Sequence, residues 1–240
     1  MEAMILAAGL GTRLRPLTDH IPKALLEVGG VPILERVARR LIAAGADRLI
    51  INLHHLGERI REFVEERDGF GVEVRFSEEP EGALETGGGV LRAASLFRGA
   101  APFFLHNSDI LSEVPLGRMY AAHVEGAPLA TLAVMSRQSA RYLLFDDVGL
   151  FGRVDEGKGV RIEARERVGE ERRLAFGGIH VISERFPEML TERGAFSILD
   201  PYLRLVKAGE RIEPFRIDEY RWLDIGKPAQ LEEARAWFES

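Results

Sequence analysis

The first 23 residues contain the side chains with the clearest chemical potential. A short apolar run, residues 3–8, leads into Gly9 and Gly11, and Arg13 and Lys23 follow closely. Glycines let a backbone turn tightly and approach a ligand, with amide groups available as donors. Because two cations stand beside that loop, the segment predicts a site for a phosphorylated ligand, with ordinary solvated side chains as the alternative.

The loop matches neither of the two common phosphate-binding motifs. A P-loop requires Gly-x4-Gly-Lys-Ser/Thr, which this segment lacks. The dinucleotide-binding fingerprint is Gly-x-Gly-x-x-Gly, and Leu14 occupies the position of its third glycine. The full string LAAGLGTRLRPLT, followed by Pro22-Lys23, resembles the signature of the sugar-1-phosphate nucleotidyltransferases. That resemblance implies a cradle for a nucleoside triphosphate made by Ala7, Ala8, Gly9, Gly11 and Thr12. It also implies catalytic roles for Arg13, on the leaving phosphates, and for Lys23, on the reacting phosphates.

Two aspartates each follow a predicted strand. Asp109 comes shortly after the apolar run 103–105, and Asp224 follows a short strand near the end of the chain. Carboxylates at strand ends can hold Mg²⁺, which takes few protein ligands and keeps phosphate oxygens. A turn or helix cap is the alternative role for Asp109. The family resemblance extends to both positions and implies that both bind magnesium, although Ser108 replaces the usual glycine.

A glycine-rich segment follows the third predicted strand. Its residues Glu85-Thr86-Gly87-Gly88-Gly89 resemble the family element that reads the nucleobase, and Thr86 is expected to cap the next helix. Glycines let a flat base lie against backbone groups, whereas a plain glycine-rich helix start is the alternative. The resemblance assigns nucleotide binding to Glu85, Thr86, Gly87 and Gly88. This form of the element is similar to that of N-acetylmuramate-1-phosphate uridylyltransferases and of some mannose- or heptose-1-phosphate guanylyltransferases.

The residues expected to bind the sugar 1-phosphate, which accepts the nucleotidyl group, depart from the family pattern. Gly178 resembles the family glycine whose amide faces the sugar, with a strand bulge as the alternative, and Asn107 is also assigned to substrate binding. Many members carry a Glu-Lys pair before this strand, but this chain offers Glu163 without the lysine. We expect Glu163 to hold sugar hydroxyls and Arg161 or Arg165 to replace the missing cation.

Alternating strands and helices must position these residues. Apolar periodicity predicts strands over residues 3–8, 49–53, 72–76, 102–105, 128–135, 174–182, 211–217 and 220–223, and helices over residues 33–44, 56–66, 87–97, 197–208 and 228–238. Repeated β-α units predict an α/β fold with a mostly parallel central sheet flanked by helices, Rossmann-like, and ligands beyond the carboxyl ends of its strands. Short strands over residues 141–168 predict antiparallel additions in the C-terminal half. We expect a single nucleotidyltransferase domain over residues 1–240, with a nucleotide-binding half (1–127) and a sugar-phosphate-binding half (128–240).

Composition limits the class of protein. Of the 240 residues, 46% are hydrophobic and 29% are charged, which is typical of a globular protein, and the formal net charge is −6. The acidic balance argues against a nucleic-acid partner. The absence of cysteine excludes disulfides and thiolate chemistry, and no apolar run reaches membrane length. We expect a cytoplasmic protein with no membrane partner, acting as a monomer or weak homodimer.

The resemblance covers nearly the whole chain and implies Mg²⁺-dependent nucleotidyl transfer from an NTP to a sugar 1-phosphate, giving an NDP-sugar and pyrophosphate. UTP with N-acetylmuramate 1-phosphate is the first expectation. A guanylyltransferase acting on mannose or heptose 1-phosphate is the alternative, and a cytidylyltransferase acting on phosphocholine is the third. A non-catalytic regulator that binds an NDP-sugar is the alternative from a different functional class. The presence of Lys23, Asp109 and Asp224 argues against this alternative.

Overall fold

Fourteen strands and six helices account for most of the described chain. The computed structural model describes residues 1–239, and side chains through residue 238. The strands are β1 Glu2–Leu6, β2 Glu27–Val28, β3 Val31–Pro32, β4 Arg48–Leu53, β5 Glu73–Glu78, β6 Phe103–Asn107, β7 Ile110–Ser112, β8 Ala130–Met135, β9 Arg141–Phe145, β10 Leu150–Asp155, β11 Val160–Glu163, β12 Arg172–Ile182, β13 Ile212–Arg216 and β14 Trp222–Asp224. The helices are α1 Ile33–Ala43, α2 Gly57–Glu65, α3 Glu85–Ala93, α4 Leu116–Gly126, α5 Leu199–Lys207 and α6 Pro228–Glu239.

The main sheet is mixed, with a parallel centre. Its strand order is β11-β10-β9-β12-β6-β1-β4-β5, with β8 paired to β12 and β13 paired to β8. Strands β6, β1, β4 and β5 run parallel to one another, whereas β12 runs antiparallel to β6, β8 and β9. This arrangement confirms the predicted α/β fold, including the antiparallel additions supplied by the later part of the chain.

Both faces of the sheet are buried. In β1, Ala3 and Ile5 belong to one apolar core and Met4 to the other, because alternate side chains of a strand point to opposite faces. Helix α1 contributes Leu41 to the first core, and α5 contributes Tyr202 to the second. Since helices cover both faces, a ligand can reach the central strands only at their ends.

One helix escapes sequence-based prediction. In α4 only Leu116, Met119 and His123 are buried. One of these three residues is a histidine, so the apolar periodicity of this segment is too weak to predict a helix. The other predicted elements are present, with ends that shift by a few residues. None of the helices in the described chain combines the length and apolar character that a membrane span requires.

A buried carboxylate holds the hairpin of β9 and β10. The side chain of Asp146 is fully buried and accepts hydrogen bonds from Arg165 at 2.6 and 2.7 Å. The backbone N–H groups of Val148, Gly149 and Val168 donate to the same carboxylate. Burial by itself would raise the pKa of Asp146, but Arg165 and the backbone donors hold that pKa below its usual range. The contact fixes the turn after β9 to the segment that follows β11.

Asp146→Asn should lower the free energy of unfolding by about 3 kcal/mol near neutral pH, because Arg165 loses its buried partner. The pKa of this carboxyl is lower in the folded than in the unfolded chain, so its contribution is present above the ordinary value of 3.8 and is lost as the pH falls further. Urea unfolding of both proteins should therefore show a gap that narrows from about pH 7 to about pH 3. A gap that is the same at both pH values would contradict this account.

Candidate active site

A cleft of about 420 Å³ opens at the carboxyl ends of β1, β4 and β6. Its wall combines the loop after β1, the segment after β5 and the turns after β6 and β14. The lining residues are Leu6, Ala7, Ala8, Gly9, Leu10, Gly11, Thr12, Arg13, Leu14, Lys23, Asn52, Glu79, Ala83, Glu85, Thr86, Asn107, Ser108, Asp109 and Gly226. Most of the residues assigned to the nucleotide and to catalysis from sequence therefore meet in one cleft.

One glycine shapes the loop after β1. Gly11 has a φ of +63°, and a Cβ there would lie 2.9 Å from Cγ2 of Thr18, so only glycine fits. The Thr18 hydroxyl donates to the Gly11 carbonyl at 2.8 Å and closes the loop. At Gly9 an added Cβ would meet no atom within 4 Å, so the space beside this residue is open to a ligand.

A buried amide and a buried carboxylate support the loop from beneath. Asn52 Oδ1 accepts hydrogen bonds from the N–H groups of Ala7 and Ala8 at 2.6 and 3.3 Å. Its Nδ2 donates to Glu79 at 2.7 Å, and the second oxygen of Glu79 accepts from the Leu84 N–H at 2.8 Å. Because the Ala7 and Ala8 amides turn toward Asn52, β1 ends two residues earlier than predicted. The network also ties the loop after β1 to the glycine-rich segment.

The two predicted metal ligands meet through a pair of short strands. Strand β14 runs antiparallel to β7, which sets Asp224 opposite Ile110 and beside Asp109. The Lys23 ammonium donates to Asp109 Oδ2. Lys23 follows Pro22 and begins a single 3₁₀ turn. This restrained backbone holds the Lys23 ammonium beside the Asp109 carboxylate.

Asp224 is partly buried beside Asp109. Its Oδ1 is buried and has no hydrogen-bond partner among the described residues. Burial raises the pKa of Asp224, and the negative charge of Asp109 adds to that rise. Three cations oppose the rise: Lys23, Arg13 and Arg137. A buried oxygen without a partner, beside a second carboxylate, is costly unless a cation compensates it.

The donor set at this point suits a hard divalent ion. Mg²⁺ commonly binds one or two carboxylates and keeps water and phosphate oxygens at its other positions. Asp109 and Asp224 provide such a pair. Within residues 1–239 no group of three or more histidine, cysteine or carboxylate side chains could hold a metal, so the arrangement does not resemble a closed protein cage.

Arg13 joins the loop after β1 to the turn after β14. A Cβ added at Gly226 would lie 2.9 Å from an Arg13 guanidinium nitrogen. The guanidinium therefore packs directly on the Gly226 backbone, two residues beyond Asp224. This contact places a positive charge between the loop and the carboxylate pair.

The glycines at the start of α3, Gly87 and Gly88, pack closely against the neighbouring segment, and their contact with a nucleotide stays a prediction. Their N–H groups both donate to the Phe196 carbonyl. A Cβ on Gly87 would overlap the Phe196 ring, and one on Gly88 would lie 2.5 Å from the Gly194 carbonyl oxygen. Glycine is needed here because α3 approaches the neighbouring segment closely, and neither residue lines the cleft.

The two residues before these glycines do line the cleft. Helix α3 begins at Glu85, so Thr86 does not cap it; the Thr86 hydroxyl instead accepts from the Ile198 N–H at 3.0 Å. Glu85 has a φ of +58°, a left-handed conformation that costs free energy for a residue with a Cβ. Such strain at an exposed residue of a cleft is common in binding sites, and a nucleotide contact by Glu85 and Thr86 stays a prediction.

Gly178 and Asn107 meet at a bulge on the other side of the cleft. The pairing of β12 with β8 shifts register between Phe176 and His180. Gly178 has a φ of +78°, and a Cβ there would lie 2.6 Å from Ile110 and 3.2 Å from Asn107 Nδ2. The bulge predicted as the alternative role of Gly178 therefore also brings this glycine to Asn107, which lines the cleft.

Glu163 does not line the cleft, and its contact with sugar hydroxyls stays a prediction that this position does not support. It ends β11, the outermost strand, with β10, β9 and β12 between it and β6. Its carboxylate pairs with Arg161 at 2.6 Å, and Arg165 is bound to Asp146. Both arginines are paired with carboxylates on this side of the sheet, and neither lines the cleft.

Sequence analysis missed three polar residues around the cleft. Asn52 stands near the end of β4, Glu79 directly after β5 and Arg137 two residues after β8. All three occur where an apolar strand ends, which is the signal that identified Asp109. The guanidinium of Arg137 lies 4.7 Å from the ring centroid of Trp222.

The chain is similar in sequence and in fold to known nucleotidyltransferases. The nucleotidyl transferase family model matches residues 2–144. N-acetylmuramate alpha-1-phosphate uridylyltransferase from Neisseria meningitidis serogroup B is 32% identical, over 98% of this chain and 97% of its own length. Mannose-1-phosphate guanyltransferase from Yarrowia lipolytica is 27% identical, over 95% of this chain and 61% of its own length. A UTP-bound UGPase from Acinetobacter baumannii has a TM-score of 0.78 at 18% identity, over 99% of this chain and 92% of that one.

The family match covers more than half of the chain, and the Neisseria relative extends over nearly all of it. The structural neighbour shows that the fold is shared as well. The resemblance read from the glycine loop and from the two aspartates is thereby confirmed: this chain belongs to the nucleotidyl transferase family.

Proposed function

We propose that this chain transfers a nucleotidyl group from an NTP to a sugar 1-phosphate, with UTP and N-acetylmuramate 1-phosphate as its substrates. The observation that carries the reaction type is the pair Asp109 and Asp224, with Lys23 and Arg13 beside them at the end of a glycine loop. The near-full-length similarity to the Neisseria uridylyltransferase supports the choice of substrates.

In this proposal the triphosphate lies along the loop after β1. Ala7 and Ala8 line the cleft, but their amides already donate to Asn52. Phosphate contacts are therefore expected from Gly9 onward, where the loop is open, through Thr12 to Arg13. The base extends toward the segment that holds Glu85 and Thr86, and the acceptor enters beside Asn107 and Gly178.

The reaction needs no protein nucleophile. An oxygen of the acceptor phosphate attacks the α-phosphorus in line, and the bond from that phosphorus to the bridging β-phosphate oxygen breaks. Lys23 offsets charge at the reacting phosphates, and Arg13 offsets charge on the departing pyrophosphate. His106 beneath the cleft is not suited to be a base, because burial lowers its pKa to about 4 and it is only 2% exposed.

Asp109 and Asp224 would hold Mg²⁺ in this mechanism. The unpartnered Oδ1 of Asp224 and the adjacent carboxylate of Asp109 fit such an ion. When bound, the ion would supply positive charge to phosphate oxygens and reduce the repulsion between the two substrates. Lys23 keeps Asp109 in place through its ion pair.

Pyrophosphate release tests the reaction and its substrates together. Each of the four NTPs is combined with a panel of sugar 1-phosphates that includes N-acetylmuramate, mannose and heptose, in the presence of Mg²⁺. We expect release with UTP and N-acetylmuramate 1-phosphate. Asp109→Asn and Asp224→Asn should each lose at least about 100-fold in kcat, because each removes a carboxylate that would hold Mg²⁺ at the reacting phosphates. Circular dichroism should show both variants folded.

The other outcomes of this panel are equally informative. Release only from GTP with mannose or heptose 1-phosphate would overturn the substrates and keep the reaction type. No release with any pair, together with tight NDP-sugar binding, would favour the non-catalytic regulator instead. Near-normal turnover by either aspartate variant would contradict the assigned metal ligands.

Asn52→Leu should raise the KM for the NTP about tenfold, because the loop after β1 loses the acceptor that fixes the Ala7 and Ala8 amides. The KM for the sugar 1-phosphate should change by less than about twofold, since the network lies on the nucleotide side. Steady-state kinetics with each substrate varied in turn measures both constants.

Ser77→Ala is the matched control for this variant. Ser77 lies opposite Asn52 on the neighbouring strand β5, and its buried hydroxyl has no partner in the described chain. Its removal should leave both constants unchanged. An equal rise of the NTP KM in the two variants would show that the Asn52 network has no specific role in binding.

A further inference from the structure

The acceptor side of the cleft needs a cation that the predicted residues do not supply. Lys23 is paired with Asp109, and Arg13 packs on Gly226 beside the loop after β1. Arg161 and Arg165 are held by carboxylates beyond β12. An incoming sugar 1-phosphate would approach a triphosphate already bound in the cleft, so a further positive charge near its phosphate would favour its binding.

Arg137 does not line the cleft itself, but it is exposed and its charge acts on Asp224. It follows β8, the strand that pairs with β12 next to the Gly178 bulge. Its one hydrogen bond within the described chain is a long contact of 3.5 Å from Nη1 to the Gln138 carbonyl. No carboxylate of the described residues forms an ion pair with it, unlike Arg161 and Arg165. Its guanidinium therefore keeps its donors available.

Trp222 places this guanidinium beside the aspartates. Trp222 and Asp224 are alternate residues of β14 and share one face of the strand, while Leu223 between them is buried in the core. The indole Nε1–H donates to the Gly177 carbonyl at 2.7 Å. The indole ring therefore lies between Asp224 and the bulge. Cζ of Arg137 lies 4.7 Å from the centroid of that ring.

The backbone that carries Arg137 is fixed from a third element. The Ser136 N–H donates to Asp218 at 2.7 Å. Arg216 binds the same carboxylate at 2.7 Å and donates to the Ser136 hydroxyl at 2.9 Å. A cation on an anchored backbone, stacked on an aromatic ring, loses less conformational freedom when it binds a ligand.

We propose that Arg137 binds the phosphate of the sugar 1-phosphate and replaces the lysine that this chain lacks. This inference rests on the proposed function. A guanidinium remains charged at any working pH, and its planar set of donors matches two phosphate oxygens. Bound there, it offsets the repulsion between the incoming phosphate and the triphosphate in the cleft.

Kinetics of Arg137→Ala test the assignment, with Arg59→Ala on the exposed side of α2 as the matched control. For Arg137→Ala the KM for the sugar 1-phosphate should rise at least tenfold, about the effect of losing one charge-assisted contact, and the KM for the NTP should stay within about twofold. Arg137→Lys should recover part of the loss, because it restores the charge without the planar donors. Arg59→Ala should behave as the wild type.

Further measurements separate the possible failures. Calorimetric titration of the sugar 1-phosphate into protein saturated with a non-hydrolysable NTP should show the same loss of affinity. The loss should be equal for acceptors with and without a carboxylate on the sugar; a loss confined to carboxylate-bearing acceptors would overturn the phosphate contact. An unchanged acceptor KM, or an equal rise in both KM values, would also overturn it while the proposed function stands. Absence of pyrophosphate release by the wild type would overturn both.

Discussion

Burial raises the pKa of Asp224, the neighbouring charge of Asp109 raises it further, and the site is arranged around these two carboxylates. Two carboxylates on one edge of a sheet are costly unless positive charge surrounds them. Lys23 approaches from the 3₁₀ turn after the loop, Arg13 from the loop itself and Arg137 from the end of β8. Each cation comes from a different element, so the full fold must form before the charges balance.

The scaffold tolerates this arrangement because its strands are fixed on both faces. The short pair β7 and β14 sets the two aspartates side by side, and it is anchored by Leu111 and Leu223 in the core. Functional sites commonly keep such unfavourable electrostatics while the surrounding packing supplies the stability. A cation that binds between the two aspartates would then supply the partner that Asp224 Oδ1 lacks in the folded chain.

The side of the cleft beneath the loop after β1 is organised differently, by buried hydrogen bonds. Asn52 and Glu79 join the loop after β1 to the segment before α3, and Gly89 leaves room for both side chains. A fully connected buried network restrains the backbone more than exposed ion pairs do. The cleft therefore has a wall fixed by buried hydrogen bonds beneath the loop after β1, and charged residues around the two aspartates, near which Arg137 is proposed to bind the acceptor phosphate.

The sequence alone determined the local features of this protein. Apolar periodicity identified the central strands, and the glycine loop with Arg13, Lys23, Asp109 and Asp224 identified the family and the cleft, because those residues follow strands whose carboxyl ends share one edge. Tertiary structure decided which side chains are available there. Glu163 and its neighbouring arginines are paired elsewhere, and Gly87 and Gly88 pack against Phe196. Asn52 and Glu79 line the cleft, and Arg137 is the proposed addition, because long-range pairing and charge balance depend on contacts that residue spacing does not encode.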